Sequence, residues 1–148
     1  MSCTDLRETL NGNAECFSNA SSASENGKKF ILKNVSGKSI CRVRVDDCLI
    51  TDQKSKKCDF LFNIKENSRY FLVELKGVDL DTAVKQIEST FDHVNQKIKQ
   101  PPVNYIGIIV SSAVPRASTL KFQNLQDKLY RAKKLLVKRK SLVYEEKV

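Results

Sequence analysis

Three charged residues stand inside apolar runs: Asp59 opens "DFLFNI", while Glu74 and Lys76 interrupt "YFLVELKG". An extended strand sends successive side chains to opposite faces, so Glu74 and Lys76 share one face. Phe71, Val73 and Leu75 take the other and enter the core. If the polar "KENSR" turns the chain so that Ile64 meets Arg69, counting back along the ladder sets Asp59 opposite Glu74. Residues paired in this way lie about 5 Å apart, and two carboxylates there destabilise a sheet. A divalent cation would reconcile them. Hard oxygen donors from two carboxylates and a neighbouring carbonyl suit Mg²⁺, which keeps its other positions for water and substrate phosphate. An adjacent lysine can hold a scissile phosphate, or orient and help deprotonate an attacking water.

The elements that must position these residues read as one α/β domain over 1–148 with a mixed central sheet. Residues 1–10 suit a short helix, with Thr4 or Asp5 as cap. The Asn-, Ser- and Gly-rich 11–29 reads as a flexible loop. "FILKNV", "SICRVRVDDCLI", "KCDFLFNI" and "YFLVELKG" then predict an antiparallel meander. Leu80, Val84, Ile87, Phe91, Val94 and Ile98 recur at helical spacing, with Asp79 or Asp81 as cap and Pro101-Pro102 as the stop. The apolar "VNYIGIIV" suits a strand covered on both faces. Strand, helix and strand in that order form a crossover, which makes "YFLVELKG" and "YIGIIV" parallel. A second helix is expected over roughly 118–137, in a basic C-terminal helical segment 118–140, with Leu120, Leu125, Leu129, Leu135 and Leu136 as apolar positions. A last strand is read in "SLVYEE".

Asp59 followed by Glu74-Leu75-Lys76 resembles the D…(D/E)xK signature of the PD-(D/E)xK nuclease superfamily, whose restriction-endonuclease-like core has the same element order over about residues 40–112. The resemblance implies a Mg²⁺-dependent nuclease, with Mn²⁺ as a substitute, acting on nucleic acid and on DNA in preference to RNA. It makes Asp59 and Glu74 metal ligands, the Leu75 carbonyl a third, and Lys76 the catalytic lysine. Gln86 matches a glutamine that several branches place early in the following helix, near the substrate backbone. The proline that names the motif is replaced by Cys58. Glu8 is the candidate for a first-helix acid, with Asp46 or Asp47 as the alternative. Restriction, repair, defence and junction-resolving nucleases share this pattern. The small basic format also resembles junction resolvases, which act as homodimers.

Charge adds a separate indication. Lys and Arg number 26 against 17 Asp and Glu, a net charge of +9, which favours a polyanionic partner. Lys128, Arg131, Lys133, Lys134, Lys138, Arg139 and Lys140 face a single acid, Asp127, in "LQDKLYRAKKLLVKRK", and are read as the nucleic-acid-binding residues. No apolar run approaches the roughly 18 residues of a membrane span. Five cysteines without CxxC spacing, and no secretory apolar region at the start, predict reduced thiols in a cytoplasmic protein. No Ser-His-Asp set, Cys-His pair or phosphate-binding glycine loop is present. The rival reading is a catalytically silent nuclease-fold module that binds nucleic acid or a partner protein.

Overall fold

Among the described residues, two sheets and three α-helices are built around β5 (Phe60–Ile64), β6 (Arg69–Glu74) and β7 (Tyr105–Ser111), of which only Arg69 is not buried. The computed structural model of the chain describes residues 1–75, 79–112 and 116–148, with the backbone alone for 116–118. The central sheet has six strands in the order β1 (Phe17–Ser18), β4 (Ile40–Arg44), β5, β6, β7, β8 (Leu136–Ser141). β1, β4, β5 and β6 pair antiparallel, and β6, β7 and β8 pair parallel. The mixed α/β architecture and the parallel pairing across the crossover are therefore as expected. A second sheet orders β2 (Ser22–Glu25), β3 (Lys28–Lys33) and β9 (Val143–Lys147).

Each face of the central sheet has its own core. On one, Val43, Leu61, Leu72 and Ile109 pack against α1 (Cys3–Leu10), α2 (Leu80–Ile98) and α3 (Arg116–Lys133). On the other, Phe60, Phe62, Phe71 and Ile108 pack against Phe30 and Leu32 of the small sheet. α2 starts where Asp79 Oδ1 accepts from the amides of Asp81 and Thr82, and stops where Lys99 turns left-handed ahead of the two prolines. It comes close to the sheet at Gly107, where a Cβ would stand 2.7 Å from Ile87 Cγ2.

Five expectations are corrected. The 11–29 stretch is structured: it contains β1 and β2, and Asn26-Gly27, both at positive φ, join β2 to β3 as a hairpin. β3 leaves the meander, because its alternating Phe30 and Leu32 close the second core beside the parallel β9. The basic C-terminal segment is not one helix: α3 ends at Lys133, Lys134 is left-handed, and Leu136–Ser141 becomes an edge strand on β7. Leu120 and Leu136, expected in the core, are 63% and 45% exposed, whereas Phe122 and Leu129 carry the buried stripe of α3. Finally, four cysteines are paired. Cys3–Cys41 and Cys16–Cys48, with Cα atoms 5.1 and 5.7 Å apart, fasten the N-terminal segment to β4 and its following turn, leaving Cys58 as the free thiol. Among the described residues no helix is long and apolar enough to cross a membrane.

Candidate functional site

The β5–β6 ladder pairs Ile64 with Arg69 and Phe60 with Val73, so the next pair outward is Asp59 and Glu74. Neither is on an open surface: Asp59 is 5% and Glu74 3% exposed. Their face of the hairpin is roofed by the helices, and both faces of the hairpin are core. Asp59 is anchored on both sides. Its carbonyl accepts from Val45 N–H at 2.9 Å, and its own N–H donates to the Val73 carbonyl at 3.0 Å. Its Oδ2 accepts from Leu75 N–H at 2.8 Å. The backbone of the residue between Glu74 and Lys76 thus aims the Asp59 carboxylate.

The parallel ladders extend the row. Glu74 is in register with Ile109, and Ile109 with Arg139, so Asp59, Glu74 and Arg139 lie on one face along the C-terminal ends of β6, β7 and β8. Arg139 is held there by Ser111 Oγ, which accepts from Nε at 2.8 Å, and by the Ser112 carbonyl and Ser141 Oγ at 2.8 and 3.0 Å. Ser111 is fully buried.

Cys58 and Thr90 tie α2 to this row. Cys58 N–H donates to Thr90 Oγ1, and Thr90 Oγ1 donates to the Gln86 carbonyl, each at 2.9 Å. Position 58 therefore uses a backbone amide that a proline there would lack. Gln86, half-buried, stands one turn before Thr90 on the same row of α2, in the first half of that helix. Burial pushes the Cys58 thiol up, and the charges of Glu74 and Asp59 push it further, against the Thr90 hydrogen bond. That thiol is protonated and inert as a nucleophile. Thr90 and Ser111 were missed from sequence. Thr90 carried a signal, since it lies four residues after Gln86.

Other expected residues divide. Lys76 lies outside the described residues. Glu8 is exposed on the side of α1 away from the buried Leu6 and Leu10, and so turns from the core that holds Asp59. Asp46 and Asp47 follow Val45 in the turn beyond the row. Asp46 bridges to Ile50, and Asp47, at positive φ, accepts from Gln53 at 3.1 Å. Among the described residues no group of three or more His, Cys, Asp and Glu forms a metal site. The donor set is two buried carboxylates. Such a set fits Mg²⁺, which takes one or two carboxylates and keeps waters.

The basic residues are dispersed by the break between α3 and β8. Lys133 is bound to Glu88 at 3.0 Å and to Asp92, both on α2. Burial disfavours its charge, but hydrogen bonds to Asp92 and Glu88 prevail and hold its pKa above the usual lysine value. It clamps two helices together. Lys128, Arg131 and Lys134 are exposed on and just past α3, with the Lys134 ammonium 5.6 Å from the Tyr130 ring centre. Lys138 and Lys140 are exposed on β8, and their alternation puts them on the face opposite Arg139. No protein-family model, curated protein or solved structure matches the chain.

Proposed function

We propose that the chain is a divalent-metal-dependent nuclease of the PD-(D/E)xK type with a restriction-endonuclease-like core, hydrolysing phosphodiester bonds of nucleic acid, DNA foremost. The observation that carries this reading is the burial of Asp59 beside Glu74 on the helix face, at the C-terminal ends of the parallel strands. The element order around the pair supports it: three antiparallel strands, a crossover helix and a parallel strand.

Asp59 and Glu74 would hold the metal, with the Leu75 carbonyl completing the protein donors. When bound, Mg²⁺ supplies Lewis acidity and a more acidic water. Leu75 N–H keeps Asp59 oriented, so little reorganisation is needed when charge develops at the site. Arg139, fixed by Ser111, offers a guanidinium to a neighbouring backbone phosphate. Lys76 would hold or help activate the reacting groups, and Gln86 would lie against the substrate backbone. The exposed cations of α3 and β8 would track further phosphates. The two disulfides favour oxidising surroundings over the cytoplasm.

The test is incubation with plasmid, single-stranded DNA and RNA, each with Mg²⁺, Mn²⁺ or EDTA. Cleavage is expected only with metal. Glu74→Ala and Lys76→Ala should each lower it by about 10² or more with circular dichroism unchanged. Metal-dependent cleavage unaltered in both variants would overturn the assignment. Binding without cleavage would make the chain a silent nuclease-fold module.

A further inference from the structure

A cavity of about 530 Å³ opens at the other end of the helix-facing side, between the first turn of α1 and the β3–β4 turn. Its size is that of a small-molecule site. Asn63 lines it, four residues along β5 from Asp59 and about 13 Å away at the rise of a strand. Asn63 is 1% exposed. Its Nδ2 donates to the Arg69 carbonyl at 3.2 Å, which fixes the amide so that Oδ1 is the outstanding acceptor. Oδ1 is buried with no hydrogen-bond partner among the described residues. A buried acceptor is almost always paired, so this one calls for a donor from outside the chain.

The rest of the lining specifies what carries that donor. Lys38 and Lys65 contribute the charge, Thr4, Ser21 and Asn19 contribute hydroxyl and amide groups, and no carboxylate is among the described lining residues. Two acids stand nearby: Asp5 accepts from Ser2 N–H at 3.1 Å, Glu66 accepts from Ser39 N–H at 2.8 and 3.0 Å, and these hydrogen bonds, helped by the charge of Lys65, lower the pKa of both. The capping box uses the amides of Ser2 and Asp5, leaving those of Cys3 and Thr4 at the positive end of α1 beside the cavity. Asn34 fixes the backbone of Lys38 through two hydrogen bonds of 2.7 and 2.8 Å, so the lysine projects from a closed turn.

We propose that this cavity binds a phosphorylated sugar, free or as the ribose phosphate of a nucleotide. The phosphate sits with Lys38, Lys65 and the start of α1, and a sugar hydroxyl donates to Asn63 Oδ1. This site stands apart from the Asp59–Glu74 row and does not depend on the nuclease reading.

Titration of the isotope-labelled chain with ribose 5-phosphate, ribose, inorganic phosphate and AMP, followed by amide NMR, tests it. Ribose 5-phosphate should give saturable shifts at Thr4, Ser39 and Asn63 while Ile109 stays still. Lys38→Gln and Lys65→Gln should each weaken binding about tenfold. Asn63→Leu, with its amide dispersion intact, should bind ribose 5-phosphate no better than inorganic phosphate. Should that variant not fold, the two lysine variants decide the matter. AMP binding tenfold tighter than ribose 5-phosphate would assign a nucleotide, and equal binding a free sugar phosphate. Inorganic phosphate binding as tightly as ribose 5-phosphate to the parent would overturn the sugar assignment. Absence of saturable shifts, or binding unchanged in both lysine variants, would overturn the site.

Discussion

The two faces of the central sheet are built on different terms. The face toward the small sheet has an apolar centre, with Phe30 4.9 Å from Phe62 and 5.7 Å from Phe71 between ring centres, and its charged residues, Arg42, Arg44 and Arg69 among them, stay at least partly exposed. The face toward the helices gives up core positions to Asp59, Asn63, Glu74, Thr90 and Ser111, all at most 5% exposed. Buried polar groups cost stability unless they are paired, so a fold confines them to where they serve. The polar face is also where the chain is covalently fastened, through the two disulfides that bind the N-terminal segment to β4 and its turn. Both faces pack a core, but the helix face alone carries the candidate chemistry and the cross-links.

Reduction should separate them most. The disulfides span 38 and 32 residues, and the chain-entropy relation assigns about 4 kcal/mol to each loop. Denaturant titration with and without reductant should show a loss of that order, and thiol titration of the unfolded chain should count one thiol before reduction. Five thiols before reduction would show the cross-links to be absent. Next, Phe62→Ala should cost about 3–5 kcal/mol by opening a cavity in the apolar core, and leave activity per folded molecule unchanged. A selective loss of cleavage in a folded Phe62→Ala protein would break the division between the faces. Thr90→Val is smaller in stability: it strands the Cys58 amide and should cost about 1–3 kcal/mol. On the proposed nuclease reading, cleavage should fall further than folding accounts for, because Thr90 ties α2 to Cys58, next to Asp59.

The smallest effect is a pH dependence. The Tyr144 hydroxyl, on the small sheet, is pushed up to about 12, first by burial and then by its hydrogen bond to Glu146 and that group's charge, with Arg69 opposing. The folded state keeps its proton after the unfolded state begins to ionise near pH ~10, so stability falls from there and levels off near 12. Burial also raises Tyr70, Tyr105 and Cys58 on the helix face, so the parent's alkaline loss is shared. Tyr144→Phe should remove its own portion, seen as a shallower decline of melting temperature between pH 10 and 12. An identical slope in parent and variant would show that Tyr144 does not contribute.

Much of the site was legible because strand and helix impose short, rigid periods. The turn between Ile64 and Arg69 sets the register, and a period of two then delivers Asp59 to Glu74 without any knowledge of the remainder. The spacing of Leu80, Val84, Ile87, Phe91, Val94 and Ile98 determines α2 in the same way, and all six are buried. The unbroken apolar run from Tyr105 to Val110 determines that β7 is covered on both faces. Residues with no such period were decided by tertiary contact. Leu136 to Lys140 has ordinary helix formers, yet the exposed edge of β7 offers a ladder of hydrogen bonds, and these residues become β8. The polar 11–29 segment lacks a hydrophobic pattern and is ordered by its hairpin turn, by β4 and by a disulfide. Cysteine pairing needs Cα atoms within about 7 Å, which depends on how distant segments pack and on no spacing along the chain. The Asn63 cavity belongs to the same class: a lone asparagine in an apolar strand acquires its meaning only when α1 and the β3–β4 turn close around it.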